Sequence, residues 1–543
     1  MTQDPDDIAE RIESAEILAF PEKRNATLSD DQSENRDDPA LAGKGEEVLE
    51  TDAGGDDGGR DGDGAESDDD DPIAVINREW ALVLMGSRAV VMRERPDAPI
   101  EDRTRVLSIE AFKNYLLNCR VKVKKRVRDE ETDEWVEKTF YYQLAPYWLK
   151  ARDRRTYDGI EFFPDPDNKP GTRGYFNLWR GFSVKPDTAP TEERAKKYQT
   201  FRDHLFTNIC NANKEHFDWL FAWMAHIGQK PRERPGTAIV MRGLMGTGKT
   251  IVGEILGKLF ESHYFLVDDP RYVTGQFNAH MASCLLLQVD EGFWAGDKAA
   301  EGRLKGLITA PKQMIEAKGI DPIRVDNHVR LMFSSNEHWV VPAAMDERRF
   351  CVFDVADHAK ENFEYFAEIH REMNEGGREA FLADLLALDL DVAPNVRVIP
   401  KTSALLEQKI RSFDPITAWL FERVMDGAIT KRMAHWPKWV AISTAHNDYL
   451  RQVERQGVRR RANVTEFALM VRRLLPGIAK KRRIDAVEEI DDHGVASTVH
   501  RRVWCWDLPS LEECRAALEA ALRQAIDWDD AAARESELPP ADL

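Results

Sequence analysis

Eight residues constrain the fold of this chain more than any others: Gly243-Leu244-Met245-Gly246-Thr247-Gly248-Lys249-Thr250. The apolar run Ile239-Val240-Met241 ahead of them reads as a short buried strand, and Ile251 to Phe260 behind them carries apolar residues at helical spacing. Strand, glycine-rich turn and helix together aim backbone N–H groups and the positive end of a helix at an anion. In that setting Gly243, Gly246, Thr247 and Gly248 form a cradle for phosphate oxygens. Lys249 reaches the β- and γ-phosphates, and the Thr250 hydroxyl holds Mg²⁺. The fold class implied is α/β.

Three further signatures follow. Leu285-Leu286-Leu287-Gln288-Val289-Asp290-Glu291 reads as a buried strand ending in two adjacent carboxylates. Asp290 is placed to act on Mg²⁺ through its water shell, and Glu291 to polarise a water attacking the γ-phosphorus. A solvated acidic turn is the alternative. Val329 to Asn336 is a second buried strand, and its terminal amide can bond both that water and a phosphate oxygen. A strand-terminal Asn is equally a common turn former. In Asp346-Glu347-Arg348-Arg349-Phe350, paired arginines suit a cation supplied to a transferring phosphate, often a neighbouring subunit's. The alternative is a solvated turn held by Asp346 and Glu347.

In this order the four signatures resemble the core of a superfamily 3 helicase, a ring-forming branch of the AAA+ P-loop ATPases. Within it they are most similar to the helicase segments of phage and plasmid primase–helicases, including those of deep-sea phage. Gln229-Lys230-Pro231, Lys305-Gly306-Leu307-Ile308-Thr309, Glu316-Ala317-Lys318-Gly319 and Ser335 to Pro342 complete the resemblance, which covers residues 200–355 and, more loosely, 140–200. It implies ATP and Mg²⁺ as cofactors and a homo-oligomeric ring, a hexamer, in which Arg348 or Arg349 reaches the next subunit's nucleotide. It also implies a channel hairpin over Lys305 to Asn327, with Lys318 and then Lys305 touching DNA.

The activity so implied is an ATP-dependent DNA helicase of a phage, prophage or plasmid replication system. A separate primase or polymerase is expected, because the folded stretch before the motor is short and lacks a paired-carboxylate metal motif. Two alternatives stay open: a DNA-bound initiator or remodelling ATPase without processive unwinding, and a non-catalytic recruitment module.

Composition sorts the rest. The net charge of −20 is concentrated in residues 1–72, where 25 acidic residues face 6 basic ones; residues 73–543 are nearly neutral and can present basic clusters to DNA. The tail cannot bury enough apolar surface to fold, so it is expected to be disordered apart from a short helix around Ile8 to Phe20. No apolar run reaches membrane-spanning length, and the acidic amino terminus does not read as a secretory signal, so a cytoplasmic protein without membrane contact is expected. Six scattered cysteines without a Cys-x-x-Cys pair read as reduced buried thiols.

The expected domains are the acidic tail (1–72), a small α+β domain (73–185), a helical collar (186–235), the P-loop core with its helical closure (236–405) and a winged-helix-like domain (406–543). In the last, Lys480, Lys481, Arg482 and Arg483 are candidate phosphate contacts, with a protein-docking module as the alternative. The basic strand Val121 to Val127 either lines DNA or is an edge strand guarded by lysines.

Overall fold

The computed structural model describes residues 15–18, 71–128, 135–269, 271–275, 278–290, 298–316, 322–490 and 496–528. These fall into two compact units, Met1–Ile160 and Glu161–Leu543. The boundary expected at residue 185 therefore lies at 160, and residues 161–185 belong with the core.

In the first unit, Trp80–Met85 and Arg88–Glu94 form an antiparallel hairpin turned at Gly86, whose φ of 58° suits a residue without Cβ. Thr104–Ser108 extends it on one side and Thr156–Tyr157 on the other. A second sheet pairs Arg120–Arg128 with Trp135–Gln143. Ala15–Leu18 lies along its other edge, extended rather than helical as expected, because an open strand edge supplies hydrogen bonds that so short a helix cannot match. The remainder of the Ile8 to Phe20 stretch, and nearly all of the acidic tail, lies outside the described residues. The core is aromatic: the Phe112 ring sits 4.9 Å from Trp80 and 5.2 Å from Trp148. All three rings are buried.

The second unit is built on a five-stranded, wholly parallel sheet. Its spatial order is Tyr264–Val267, Leu286–Asp290, Arg330–Ser335, Ala238–Arg242, Phe350–Asp354. The three inner strands are apolar on both faces because helices cover both, which is why they read as continuous hydrophobic runs. Lys214–Gln229 is the most buried helix of this layer. Trp219 and Trp223 are among its deepest residues, whereas Phe217 and Phe221 are half-buried. The helical closure breaks in two, Phe363–Glu372 and Arg378–Ala387, at Gly376, whose φ is 105°.

The carboxy-terminal lobe has its own core around Trp419, Phe467 and Trp506. It contains the helices Pro415–Met425, Ile442–Arg455 and Val464–Leu474. Ala479–Ile490 pairs antiparallel with Ala496–Asp507; Trp439–Ala441 adds a third strand and Leu511–Leu522 a fourth helix. Residues 405 and 406, where a boundary was expected, both fall inside helix Ser403–Arg411. This helix ties the lobes together: Gln408 donates to His338 O and accepts from Val340 N, while Lys409 donates to Leu522 O at 2.8 Å.

All six cysteines are buried and free. Among the described residues, no helix is long and apolar enough to cross a membrane.

Candidate functional site

The glycine-rich turn connects strand Ala238–Arg242 to helix Lys249–Gly257. Gly243, Gly246 and Gly248 have φ of 157°, 75° and 84°, backbone that L side chains rarely adopt. Close approach constrains them further. A Cβ on Gly248 would lie 2.5 Å from the Phe366 ring and 2.6 Å from that of His204, and one on Gly243 would lie 3.0 Å from Val355 O. Thr247 is buried, and its hydroxyl donates to Leu244 O at 2.9 Å, pinning the turn from inside. At the tip, Leu244 and Met245 are exposed.

Lys249 is buried at the start of the helix. Its ammonium donates to Gly243 O (2.9 Å), Leu244 O (2.6 Å) and Asn336 Oδ1 (2.9 Å). The two residues are 87 positions apart in sequence, and the parallel pairing of their strands brings them together. Thr250, one residue on, donates its hydroxyl to Asp290 Oδ2 at 3.0 Å. Four expected site residues from three separate signatures thus converge beyond the carboxyl ends of adjacent parallel strands, where ligands bind in open α/β sheets. The hydroxyl–carboxylate pair presents hard oxygen donors of the kind Mg²⁺ takes. Glu291 lies outside the described residues.

Residues that sequence reasoning missed hold this arrangement. Gln288, fully buried, donates to Thr250 O (3.0 Å) and accepts from the Tyr264 hydroxyl (2.7 Å). Its amide fills the space a Cβ on Gly253 would need, which explains that helical glycine. A lone amide inside an apolar strand was the available signal. His204 lies under the turn: Gly248 O can only accept, so Nε2 carries the proton (3.1 Å) and Nδ1 accepts from the Tyr365 hydroxyl (3.3 Å). Burial pulls its pKa down to about 4, so the ring is neutral at pH 7. Nothing in the sequence marks it.

Arg242 ends the strand before the turn and is held by Asp354 at 3.0 Å, by Glu407 and by His338 O at 2.9 Å. Burial opposes its charge, yet the two carboxylates hold its pKa above the ordinary arginine value. It connects the turn, the loop after Asn336 and helix Ser403–Arg411.

The paired arginines separate. The Glu347 carboxylate is buried and accepts from the backbone N–H of both Arg348 (2.9 Å) and Arg349 (2.7 Å). Arg349 turns inward, 3.5 Å from Glu347. Arg348 is exposed, and among the described residues no carboxylate pairs with its guanidinium.

Of the residues expected to touch DNA, Lys305 has a different place in the fold from the one expected. It lies on helix Lys298–Thr309, not on the hairpin, and is paired with Glu301 one turn earlier. The hairpin itself is Lys312–Ile315 with Ile323–Asp326; Lys318, between its strands, lies outside the described residues. The four carboxy-terminal cations divide by strand alternation. Lys481 and Arg483 bond Asp507 at 2.7 and 2.5 Å. Lys480 and Arg482 stand on the opposite face, 4.4 and 5.0 Å from the centre of the half-exposed Trp504 ring. Lys480 and Trp504, with Arg472 and Arg502, line a groove of about 510 Å³ beside helix Val464–Leu474.

Comparison with known proteins places these features. Residues 241–349, from the phosphate turn through the paired arginines, match a family described as one of unknown function (DUF5906). The chain is 24% identical over 283 residues to the DNA primase-polymerase of Nitratiruptor phage NrS-1, a match covering 50% of this chain and 39% of the relative. It thus spans about two-fifths of that relative's length. In structure it is similar to the apo C-terminal region (305–718) of NrS-1, with a TM-score of 0.52 at 16% identity, covering 82% of this chain and all of the other. An A-form apo structure of the same region gives a TM-score of 0.52 at 15% identity over 80% of this chain and 98% of the other. This chain is a mixed α/β protein related to a phage DNA primase-polymerase, and it shares the fold of that protein's C-terminal region.

Proposed function

We propose that the chain is an ATP-driven DNA motor of phage-type replication, with a P-loop AAA+ core of the superfamily 3 helicase kind. The observation that carries this reading is the convergence of Lys249, Asn336, Thr250 and Asp290 at the mouth of a parallel sheet. The strand order supports it: the strand before the phosphate turn lies between the Asn336 strand and Phe350–Asp354, with Leu286–Asp290 one place further out. Kinship with a phage DNA primase-polymerase supports the replication context.

In this reading the turn's N–H groups and Lys249 hold the phosphates of ATP, Lys249 exchanging carbonyl partners for phosphate oxygens. Thr250 and Asp290 would hold Mg²⁺, which would supply positive charge against that developing on the phosphate. Glu291 orients the attacking water. Asn336, bonded to Lys249, registers the outer phosphate. Arg348, exposed and free of carboxylates, is the arginine offered to a neighbouring subunit's nucleotide in a homo-oligomeric ring, and Arg349 braces its loop. In the carboxy-terminal lobe, a winged-helix-like module, DNA meets the Lys480–Arg482–Trp504 face, while Lys481 and Arg483 serve the hairpin through Asp507. Primer synthesis falls to a separate primase or polymerase.

A strand-displacement assay on forked DNA with ATP and Mg²⁺ tests the motor. Displacement by the wild type, lost in Lys249→Ala and in Arg348→Ala, is expected. ATP hydrolysis without displacement in a fully assembled protein would replace the helicase with a remodelling ATPase.

A further inference from the structure

We infer that the ribbon Arg120–Arg128/Trp135–Gln143 of the first unit carries a binding surface for single-stranded nucleic acid, separate from the carboxy-terminal hairpin and independent of the ATPase reading. Residues directly opposite in an antiparallel pair share a face, and alternate residues share it along each strand. The register pairs Arg120 with Gln143, Lys122 with Tyr141, Lys124 with Thr139, Arg126 with Glu137 and Arg128 with Trp135. Across these two strands one face therefore carries five cations, two aromatics and a single carboxylate, while on the flanking strand Glu16 stands opposite Lys122. The other carries Val121 and Val123, both buried, the half-buried Phe140, Tyr142 and Val127, and at its outer end Val136, Lys138 and Lys125, the last bonded to the Tyr142 hydroxyl. The apolar face belongs to the core, so the cationic face looks outward.

Its exposure agrees. Tyr141 is 56% exposed and Trp135 59%; every other residue of that face is exposed except the half-buried Lys122. Arg126 stands opposite Glu137 without pairing to it, and among the described residues no carboxylate bonds Arg120 or Lys124 either. Cations recurring every second residue are spaced about 7 Å apart along an extended strand. A row of cations interleaved with exposed rings matches an unpaired strand, whose phosphates follow the cations while its bases stack on the rings; a duplex keeps its base faces hidden.

Edge protection alone does not account for the pattern. Lysines that guard an edge need not share one face, and over Arg120–Val123 the edge is already covered by Ala15–Leu18. The six residues between the strands in sequence are Asp129-Glu130-Glu131-Thr132-Asp133-Glu134, a composition that repels a polyanion. The strand is therefore placed over Lys122, Lys124, Arg126 and Tyr141 rather than at the Arg128–Trp135 end.

The test measures fluorescence anisotropy of a labelled oligo-dT with the full chain, without nucleotide, in a Lys480→Glu/Arg482→Glu background that removes the other surface. Lys124→Glu/Arg126→Glu is expected to weaken binding at least tenfold and flatten its salt dependence, and Tyr141→Ala to weaken it about fivefold. A 5-bromodeoxyuridine oligonucleotide should photocross-link to Tyr141, and Lys249→Ala should bind unchanged, which separates this surface from the motor. Unchanged affinity in both ribbon variants, with unaltered circular dichroism, would overturn the inference. So would equal affinity for duplex. Carbodiimide cross-links joining Lys124 to carboxylates of residues 1–72 that excess oligo-dT cannot displace would assign the face to the chain's own acidic segment instead.

Discussion

The glycine-rich turn and the carboxy-terminal hairpin both present lysines, and they do so in opposite ways. At the turn, Lys249 is buried and bonded to two carbonyls and an amide, and every neighbour is fixed by another: Thr250 by Asp290 and Gln288, Gly248 by His204. At the hairpin, Lys480 and Arg482 are exposed around a half-exposed tryptophan, on the face away from the Asp507 ion pairs. A site built for chemistry spends its polar groups on one another so that geometry is fixed before the substrate arrives. A surface built to hold and release a polymer leaves its cations solvated, where each contact is weak and screened by salt.

This contrast sets the order of expected effects. Lys249→Ala should lower ATP hydrolysis by roughly two orders of magnitude or more, and Asp290→Asn comparably, since each removes a group that stabilises charge in the transition state. By contrast, Lys480→Ala or Trp504→Ala should leave DNA-independent hydrolysis within twofold of wild type while weakening DNA binding several-fold in an anisotropy titration. If the hairpin variants cut basal hydrolysis as deeply as Lys249→Ala, the two regions would not be separable.

Packing beneath the turn comes next. Gly253→Ala puts a methyl 1.9 Å from Gln288 Oε1, whose amide is already committed to Thr250 O and Tyr264. Overpacking of this kind costs about 1–3 kcal/mol, read as a lowered thermal midpoint, and Gly253→Ala/Gln288→Ala should recover part of it. Recovery of nothing would show that Gln288 does not shape this contact.

Acid should act on the core before the hairpin. Burial holds His204 at about 4 and His263 at about 3, below the ordinary value of 6.5. The unfolded chain binds their protons first, so their contribution is complete above pH 6.5 and is lost as pH falls toward 4 and then 3, by up to about 1.4 kcal/mol per residue per unit. Lys409 has a dependence of the same sign in a more alkaline window. Burial pulls it down to about 8, so its charged form strains the fold at neutral pH and stability should rise between pH 8 and 10.5. Denaturant titrations of His204→Gln and Lys409→Met across these windows check both slopes. The smallest effect expected is on DNA affinity in Lys481→Ala, whose ammonium already belongs to Asp507.

The core was legible because its chemistry recurs at fixed spacing: a glycine turn needs a strand before and a helix after, and apolar runs ending in Asp290 and Asn336 read as buried strands. Its supports were less so. Gln288 interrupts an apolar run and could have been noticed, but His204 approaches Gly248 only through tertiary packing. The sequence presents Arg348 and Arg349 as equivalents, and only the buried Glu347 beneath their loop turns one inward. Lys480 to Arg483 likewise read as one basic run, although strand alternation alone divides it. Which half is paired depends on Asp507, and that needed the register. Lys305 was misassigned because its segment reads equally as hairpin or helix until Glu301 pairs with it one turn earlier.

The central claim is that the turn and the two strand tips form one ATP-hydrolysing centre coupled to DNA. Its most direct test is the steady-state rate of ATP hydrolysis by the assembled protein with and without single-stranded DNA, beside Lys249→Ala. The account predicts hydrolysis stimulated several-fold by DNA and abolished in the variant. A protein that assembles and binds DNA yet hydrolyses no ATP in either condition would contradict it.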